Sequence, residues 1–408
     1  MPIDDKNQEF ELIMKTSDGD EILKNSDTVL VRFGPKRNGI VSSWLNGGYN
    51  EDLSAVFNHQ LSQENIDKYG DGGILDFLND LSTDFYNDLD LRSDKLSGLI
   101  TSADMNSYSI ACEKYRDIEV IAITTAGARV NAVSAGDLAS YYEINADYKY
   151  DLEDDESKDK NNNQNPNKPG TINTILLINT KLDESSLLLA EMIAVEAKAV
   201  ALRDLMVSSN YSNEIATGTG TDGIAIFSNR DSENFTDNVS KHAKIGELIG
   251  KVVIDSIKDA LAKLQWLTPT YQLNALVRLD RFQYNLDDFY NNYLPKYMKM
   301  EDENDKREFI LSLIGISKNP ELVSYVSLII HLLDQYRYGL LSKKTVLKAS
   351  NSILENQLNN DEWLSMKLLL DYIIKNQLDW FSKHIFHFLF LFYLFFITCL
   401  IFFQIWFI

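Results

Sequence analysis

The first 270 residues alternate short apolar runs with longer stretches in which apolar positions recur every three or four residues. Short apolar runs bounded by turn residues predict strands, and longer periodic stretches predict helices. The predicted strands are Thr28–Phe33, Gly39–Ser43, Leu96–Thr101, Ile118–Thr125, Thr171–Asn179 and Gly223–Phe227. The predicted helices are Asn50–Gln60, Ser102–Arg116, Ser134–Tyr142, Glu184–Met206 and Lys241–Leu264. This alternation predicts an α/β (or α+β) layered sheet domain over residues 1–268.

Residues 269–380 follow a different pattern, in which apolar side chains lie three and four positions apart and the turns between segments are polar. The periodic segments are Asp287–Met300, Lys306–Ile316, Glu321–Tyr338, Lys343–Glu355 and Glu362–Asn376. This spacing is typical of amphipathic helices that share a core. It therefore predicts an added C-terminal helical domain, a bundle or cap of about five helices.

One polar segment interrupts the first domain at residues 151–170, DLEDDESKDKNNNQNPNKPG. It contains no aliphatic residue after Leu152, and it combines an Asn run with two prolines. Such a composition predicts a disordered acidic and Asn-rich insertion. Apolar strand-like segments flank it, which favours an insertion within one domain over the alternative of a domain boundary.

The last segment, residues 381–408, is almost entirely apolar, and residues 385–408 contain no Asp, Glu, Lys or Arg. A helix of this length can span a bilayer of about 30 Å. One interpretation is therefore a C-terminal transmembrane anchor in the cytoplasmic membrane. The other is a non-native end, because AT-rich sequence translated after a frameshift or a lost stop codon also encodes Phe, Ile and Leu.

The chain is strongly acidic, with 60 Asp and Glu against 39 Lys and Arg and a formal charge of −21. A nucleic-acid partner requires a basic surface, so this charge argues against that class of function. The two cysteines, Cys112 and Cys399, exclude a disulfide framework and a Cys-based metal site, and favour the reducing cytoplasm. The five histidines show no HExxH spacing, so we expect no metal and no cofactor, although carboxylate-held magnesium stays open.

Two candidate loops follow predicted strands. Ser42–Gly48, SSWLNGG, and Thr124–Asp137, TTAGARVNAVSAGD, are rich in small and hydroxylated residues. Ligands of open α/β sheets bind beyond strand ends, where such residues let a ligand approach the backbone. Asp137 either polarises a donor of the substrate or caps the start of the short helix predicted here.

A third segment, PGTINTILLINT at Pro169–Thr180, leads into a helix that carries Glu196 and Lys198. Helical residues turn by about 100° each, so these two side chains point in different directions. Buried charges need partners, and Lys198 is expected to pair with a carboxylate. The pair is either a structural salt bridge or a group placed for proton transfer.

A fourth loop, ATGTGTDGI at Ala216–Ile224, offers hydroxyls and backbone N–H groups that could hold an anion or an oxyanion. Its spacing is not that of a nucleotide-binding P-loop. His242 lies near the start of the following predicted helix. A single histidine is more often structural, but beside these hydroxyls and Asp222 it becomes the leading acid–base candidate.

These four segments, with EAKAVALRDL at Glu196–Leu205 and KHAKIGELIG at Lys241–Gly250, occur in the order seen in one family. From about Thr28 to Leu264 the chain resembles the adenosylcobinamide amidohydrolases of corrinoid salvage. The resemblance implies hydrolysis of the amide bond that joins aminopropanol to adenosylcobinamide, giving adenosylcobyric acid for archaeal-type cobalamin biosynthesis. It implies a corrinoid substrate whose amide side chains can be hydrogen-bonded by Asn, Ser and Thr.

The mechanism stays open at this point, because no GxSxG elbow and no Cys–His pair marks a nucleophile. Either a Thr of the TGTGT loop or Ser43 attacks with His242 as base, or a water is activated by Asp222 or Glu196. The candidate catalytic residues are therefore His242, Thr219, Asp222 and Glu196. The candidate substrate-binding residues are Ser43, Asn46, Gly47, Gly48, Thr125, Gly127, Asn131, Asp137, Asn173, Asn179 and Thr217.

Two other functions remain open. One is a non-catalytic corrinoid-binding module, tethered to a membrane through residues 385–408. The other is an inactive copy of the enzyme, although the six segments look intact. A homo-oligomer is compatible with the sequence.

Overall fold

The computed structural model describes residues 9–69, 73–139, 141–145, 147–150, 170–299 and 302–379. The chain divides into two compact units, Met1–Thr268 and Pro269–Ile408. The predicted insertion at 151–170, apart from Gly170, and the apolar tail at 381–408 lie outside the described residues. Within the ranges described, no helix is both long and apolar enough to cross a bilayer.

The first unit contains two large sheets. One has the strands Arg37–Val41 (β4), Gly48–Asn50 (β5), Ser109–Tyr115 (β8), Ile118–Ala126 (β9), Ile172–Ile178 (β13) and Gly223–Asn229 (β15), in the order β5-β4-β15-β13-β9-β8. The other has the strands Glu11–Lys15 (β1), Glu21–Lys24 (β2), Thr28–Arg32 (β3), Ala55–Gln60 (β6) and Leu96–Thr101 (β7), in the order β1-β2-β3-β6-β7. Two short pairs join Ala132–Val133 (β10) to Gly218–Thr219 (β14) and Tyr141–Ile144 (β11) to Asp147–Tyr150 (β12).

Among the residues described, four α-helices cover these sheets: Gln63–Tyr69 (α1), Ile74–Leu89 (α2), Glu184–Asp204 (α3) and Lys244–Gln265 (α4). Side chains of β13 alternate between two cores: Ile175 packs toward the five-stranded sheet, and Leu176 packs toward α3 and α4. Burial on both faces explains the continuous apolar run of this strand. On the far side of the five-stranded sheet, Phe57 packs with Phe77 of α2. The unit therefore has four layers, helix, sheet, sheet and helix, and the predicted mixed α/β fold is confirmed.

Three of the helices predicted in the first unit are wrong. Asn50–Gln60 contains β6, whose first five residues are all buried, and Ser134–Tyr142 contains a turn that leads to β11. Ser102–Arg116 contains a short helical turn and then β8, so Cys112 lies on a strand. β8 is an edge strand with many exposed positions, and its mixed apolar and polar pattern resembles that of a surface helix.

The six predicted strands all lie within two residues of observed strands, and the helices predicted at Glu184–Met206 and Lys241–Leu264 correspond to α3 and α4. The sequence pattern did not predict β1, β2 and α2. The helical pattern of α2 is visible in the sequence, because Ile74, Phe77, Leu78, Leu81 and Phe85 recur at helical spacing.

The second unit is helical, as predicted. Its longer helices are Glu303–Ile316, Pro320–Arg337, Lys343–Asn356 and 364–379, and a shorter one spans Ala275–Leu279. The predicted helix Asp287–Met300 is instead a series of short helical turns, Leu286–Asp288, Phe289–Tyr293 and Leu294–Lys296. Leu313, Val326 and Leu369 lie in the hydrophobic core that the helices of this unit share.

Candidate active site

Four of the candidate loops meet at one end of the six-stranded sheet. β13 and β15 are parallel, with Asn173 opposite Gly223, and the antiparallel strands β9 and β4 end where those two begin. This end therefore carries the loop after β4, the loop after β9, the residues that precede β13 and the Thr/Gly loop before β15. Ends of neighbouring strands are the usual place for a site in an α/β layer.

Asp222 is the centre of the hydrogen bonds at this end of the sheet. Its Oδ2 accepts from Lys198 Nζ at 2.5 Å and from the backbone N–H of Thr219 at 3.0 Å. Its Oδ1 accepts from Thr219 Oγ1 at 2.5 Å and from the backbone N–H of Ile172 at 3.0 Å. A carboxylate has about four lone-pair directions, so these donors occupy them and fix the side chain in place.

Thr219 belongs to β14 and is only 8% exposed. Because its hydroxyl proton points to Asp222, the lone pairs of Oγ1 stay available for a carbonyl carbon. Among the residues described, Thr219 Oγ1 accepts no hydrogen bond. A hydroxyl that donates to an adjacent base is the arrangement that activates a nucleophile.

Lys198 and Glu196 leave α3 on nearly opposite sides, because two helical positions differ by about 200°. Lys198 contacts Asp222, and both side chains are mostly buried, at 18% and 13% exposure. Glu196 is half exposed and pairs with Lys241 at 2.5 Å. The prediction that Lys198 meets a carboxylate is confirmed, and Glu196 lies on the other face of the helix.

Gly218 lies directly against the Lys198–Asp222 pair. A Cβ atom at this position would lie 2.4 Å from Asp222 Oδ2 and 3.2 Å from Lys198 Nζ. The neighbouring Thr217 fixes the same loop, since its hydroxyl accepts from the backbone N–H of Ala135 at 2.8 Å. The glycine therefore lets the loop backbone approach the charged pair.

The buried amides at this end support the loops from beneath. Asn131 donates to Gly170 O at 3.2 Å, and its Oδ1 accepts from Tyr211. Asn173 donates to Asn58 Oδ1 at 2.9 Å, while Asn58 donates to Thr125 Oγ1 at 2.8 Å.

Asn131, Asn173 and Thr125 are each less than 5% exposed. Among the described residues, Asn173 Oδ1 has no hydrogen-bond partner, and it lies 2.6 Å from where a Cβ of Gly223 would be. The structure thus gives these residues a supporting position rather than an open face toward a large ligand.

The loop after β4 connects the two sheets. Ser43 donates to Gly98 O at 2.5 Å, and Asn46 donates to Leu96 O at 2.7 Å, so both polar side chains bind β7. Gly47 has no room for a side chain, because a Cβ would lie 1.9 Å from Ser43 O, and Gly48 has a φ of +81°. Trp44, which lies between Ser43 and Asn46 in this loop, is 66% exposed.

Gly127 also lies at this end of the sheet. Its backbone N–H donates to Thr171 O at 3.0 Å, next to the residues that contact Asp222. The following residues, Ala128 and Arg129, donate their backbone N–H groups to Gln265 Oε1 at 2.9 and 3.0 Å. The C-terminal end of α4 is therefore attached to this end of the sheet.

Two candidate residues have other positions or tasks. Asn179 follows the far end of β13, about 20 Å from Asn173 at 3.3 Å per residue. There it accepts from the backbone N–H of Glu119 and donates to Asp117 O. Asp137 accepts from Ser209 Oγ and from the backbone N–H of Ser134, so it closes a turn and caps no helix.

His242 is not brought to Asp222 by the fold. It is exposed, it lies next to Lys241, and it precedes the first residue of α4. The 22 residues of α4 extend for about 33 Å before they reach Gln265 at the Asp222 end. In the part of the chain that the structure describes, His242 has no hydrogen-bond partner. Of the predicted catalytic residues, Thr219 and Asp222 are in contact, whereas Glu196 pairs with Lys241, the sequence neighbour of His242.

The supporting roles of Asn58 and Gln265 at this end of the sheet are not predicted from the sequence. Asn58 falls within a predicted helix, whereas the structure has it on β6, facing the other sheet. Gln265 is the last residue of a long helix, and only the tertiary structure reveals its contact with Ala128.

No metal-binding cluster is found in the described ranges, where three or more His, Cys, Asp or Glu side chains are nowhere placed to hold an ion.

Comparisons with known proteins identify the family to which this chain belongs. The family model described as CbiZ, adenosylcobinamide amidohydrolase, matches residues 11–269. The chain belongs to this family, as the resemblance predicted, and the match includes both sheets and all the loops described above. The uncharacterized protein MJ1613 of Methanocaldococcus jannaschii is 30% identical over 253 residues, covering 62% of this chain and 92% of that protein.

A solved structure, the PH0078 protein from Pyrococcus horikoshii OT3, is 11% identical with a TM-score of 0.28. The match covers 62% of this chain and 83% of the PH0078 chain. A likeness at that level bears on neither fold nor function.

Proposed function

We propose that this protein hydrolyses the amide bond between aminopropanol and adenosylcobinamide, releasing adenosylcobyric acid for cobalamin salvage. Membership of the amidohydrolase family supports the reaction class. The observation that carries the proposal is the contact of Thr219 Oγ1 with Asp222, whose other oxygen is paired with Lys198. The cysteine content of the sequence, two residues nearly three hundred positions apart, supports a cytoplasmic location.

In the proposed mechanism Thr219 is the nucleophile and Asp222 is the base. As Thr219 Oγ1 bonds to the amide carbon, its proton passes to Asp222, and the carbonyl π electrons move to oxygen. When the tetrahedral intermediate collapses, the C–N bond breaks and this proton goes to the departing amine. Water then cleaves the Thr219 ester in the same way and gives the free acid.

Lys198 supplies the positive charge in this mechanism. Its ammonium group has three N–H donors, and the structure assigns one of them to Asp222. The others are available to the oxyanion of the tetrahedral intermediate, the charge whose stabilisation usually contributes most to acyl transfer. This proposal replaces His242 and Glu196 as acid–base groups, since in the described part of the chain neither side chain contacts Asp222 or Thr219.

The corrin ring needs a flat apolar surface near these residues. Trp44 lies in the loop after β4, at the same end of the sheet as Thr219, and is mostly exposed. Aromatic faces bind flat ring systems by stacking and by burial of apolar area. We therefore place the ring against Trp44, with the aminopropanol amide at Thr219.

The test is a hydrolysis assay with the full chain, adenosylcobinamide and a chelator, in which adenosylcobyric acid is detected by mass spectrometry. Product in the presence of the chelator supports the proposed mechanism without metal. Tight corrinoid binding without product would instead support the binding module. A folded protein that neither binds nor cleaves the substrate would contradict both functions.

A further inference from the structure

A polar cavity of about 280 Å³ lies between the end of β6 and the helices α1 and α2. It is separate from the candidate active site, because successive residues of a strand face opposite sides of the sheet. Asn58 faces the six-stranded sheet and bonds to Thr125, whereas His59 faces the helices and contacts Phe77 with ring centroids 5.5 Å apart. The five-stranded sheet thus lies between Asp222 and this cavity.

His59 supplies a mostly buried imidazole ring to the cavity. The residue is 8% exposed, and its Nδ1 lies 2.8 Å from Thr28 Oγ1. Its Nε2 has no partner among the residues that the structure describes, and the ring lines the cavity. Burial lowers the pKa of His59 to about 4, so the ring is neutral at pH 7. It can therefore exchange a hydrogen bond with a hydroxyl group without adding positive charge.

The other charged groups make the cavity negative. Three carboxylates line it, those of Asp27, Asp80 and Asp84, against one ammonium group. That ammonium group, on Lys68, donates to Tyr69 at 2.7 Å, and Tyr69 donates to Asp80 at 2.6 Å.

Asp27 and Asp84 have no ion-pair or hydrogen-bond partner on their carboxylates within the described parts of the chain. Burial raises the pKa of Asp84, as do the negative charges of Asp88 and Asp80, while the positive charge of Lys68 lowers it.

We propose that this cavity binds a small amino alcohol, with its ammonium group at Asp84 and Asp27 and its hydroxyl group at His59. The volume lies just below the range of about 300–1,000 Å³ typical of drug-sized ligands, which favours a molecule of few atoms. No described cluster here suits a metal ion, which favours an organic cation. The amine released in the proposed hydrolysis belongs to this class, but the binding proposal does not rest on that reaction.

The test is titration calorimetry of the full chain with aminopropanol at neutral pH, compared with propylamine and propanol. We expect saturable binding of aminopropanol, weaker binding of propylamine, which lacks the hydroxyl group, and no binding of propanol. D84N and D27N should each weaken aminopropanol binding by about tenfold or more, since hydrogen bonds to charged groups are strong. D76N is the matched control, because Asp76 lies on the same helix but outside the cavity.

Several outcomes would overturn this proposal. They are the absence of saturable binding, equal affinity for propanol, and unchanged affinity in both D84N and D27N when thermal unfolding shows that these variants are folded. Competition by Mg²⁺ at equal concentration would also overturn it, by reassigning the carboxylates to a metal. Because D84N leaves the Asp222 end unaltered, its hydrolysis rate should equal that of the parent protein, so binding and catalysis are tested separately.

Discussion

Lys198 Nζ lies 2.5 Å from Asp222 Oδ2, while Glu196, two positions earlier on the same helix, pairs with Lys241. One helix therefore contributes to two charged pairs on opposite faces. The first pair is mostly buried at the meeting point of four loops, and the second is exposed. Ion pairs in solvent contribute little to stability, whereas a partly buried pair that also contacts a hydroxyl can orient that hydroxyl for reaction.

The first prediction concerns Thr219. T219V removes the proposed nucleophile while keeping the side-chain shape, and we expect turnover of adenosylcobinamide to fall by at least about a thousandfold. T219S retains a hydroxyl and should keep measurable activity. T221V is the control from the same loop, because that hydroxyl bonds to Thr171 and Gly170 instead. Turnover of T219V within tenfold of the parent would exclude Thr219 as nucleophile.

The second prediction separates the two faces of α3. K198M should lower kcat by about 100- to 1,000-fold, the range seen when an oxyanion donor is removed. E196Q and H242A should change kcat less than threefold, since neither residue contacts Asp222. Steady-state kinetics of the three variants test whether catalysis depends on Lys198 or on the Glu196 face of α3. A large loss in H242A with normal activity in K198M would restore histidine as the base.

The third prediction concerns the space that Gly218 leaves beside the Lys198–Asp222 pair. G218A places a methyl group against Asp222 Oδ2, so the carboxylate must move and activity should fall by at least about tenfold. The free energy of unfolding should fall by only about 1–3 kcal/mol, the usual cost of overpacking. G250A is the control, because a Cβ there meets no atom within 4 Å. That variant should keep its activity and gain up to about 1 kcal/mol from helix propensity.

The fourth prediction tests the proposed position of the corrin ring. W44A should raise KM for adenosylcobinamide by about tenfold and leave kcat nearly unchanged, because the indole contacts substrate and not the reacting atoms. Y115A serves as control, since Tyr115 is also exposed but lies at the other end of the sheet. Equal KM values for the parent and W44A would remove Trp44 from the site.

The sequence predicted the central strands because burial on both faces leaves continuous apolar runs, as in β13. It did not predict β8 or β6. β8 is exposed along one side, and β6 ends in polar residues whose contacts are long-range. Local pattern cannot distinguish such strands from amphipathic helices.

The candidate site shows the same limit. Glycine near strand ends marks the loops at this end of the sheet because it allows close backbone approach, as at Gly218, and the threonines there supply hydroxyls such as that of Thr219. The choice between His242 and Lys198 depends on which face of α3 meets the Thr/Gly loop. That is a property of the packing of α3 and not of any local motif. The burial of Asn131 and Asn173 likewise follows from tertiary contacts.

The fifth prediction is a pH dependence of stability that depends on His59. Burial lowers the pKa of His59 from 6.5 to about 4, so between these values the unfolded chain binds more protons than the folded chain. Stability must then rise with pH across this window and be lost as the pH falls from about 6.5 toward 4. Between about pH 7 and pH 5 the loss due to this residue is about 2 kcal/mol.

Denaturant unfolding at several pH values measures this contribution. The parent protein should lose more stability than H59Q between neutral and mildly acidic pH, and the difference in slope isolates this histidine from the carboxylates, which titrate in both proteins. H331N is the control, because His331 is exposed and should leave the slope of the parent unchanged. Identical slopes in the parent and H59Q would mean that His59 is protonated in the folded protein without cost. In that case the ring would carry a positive charge beside Asp27, and the cavity would be less negative than its side chains indicate.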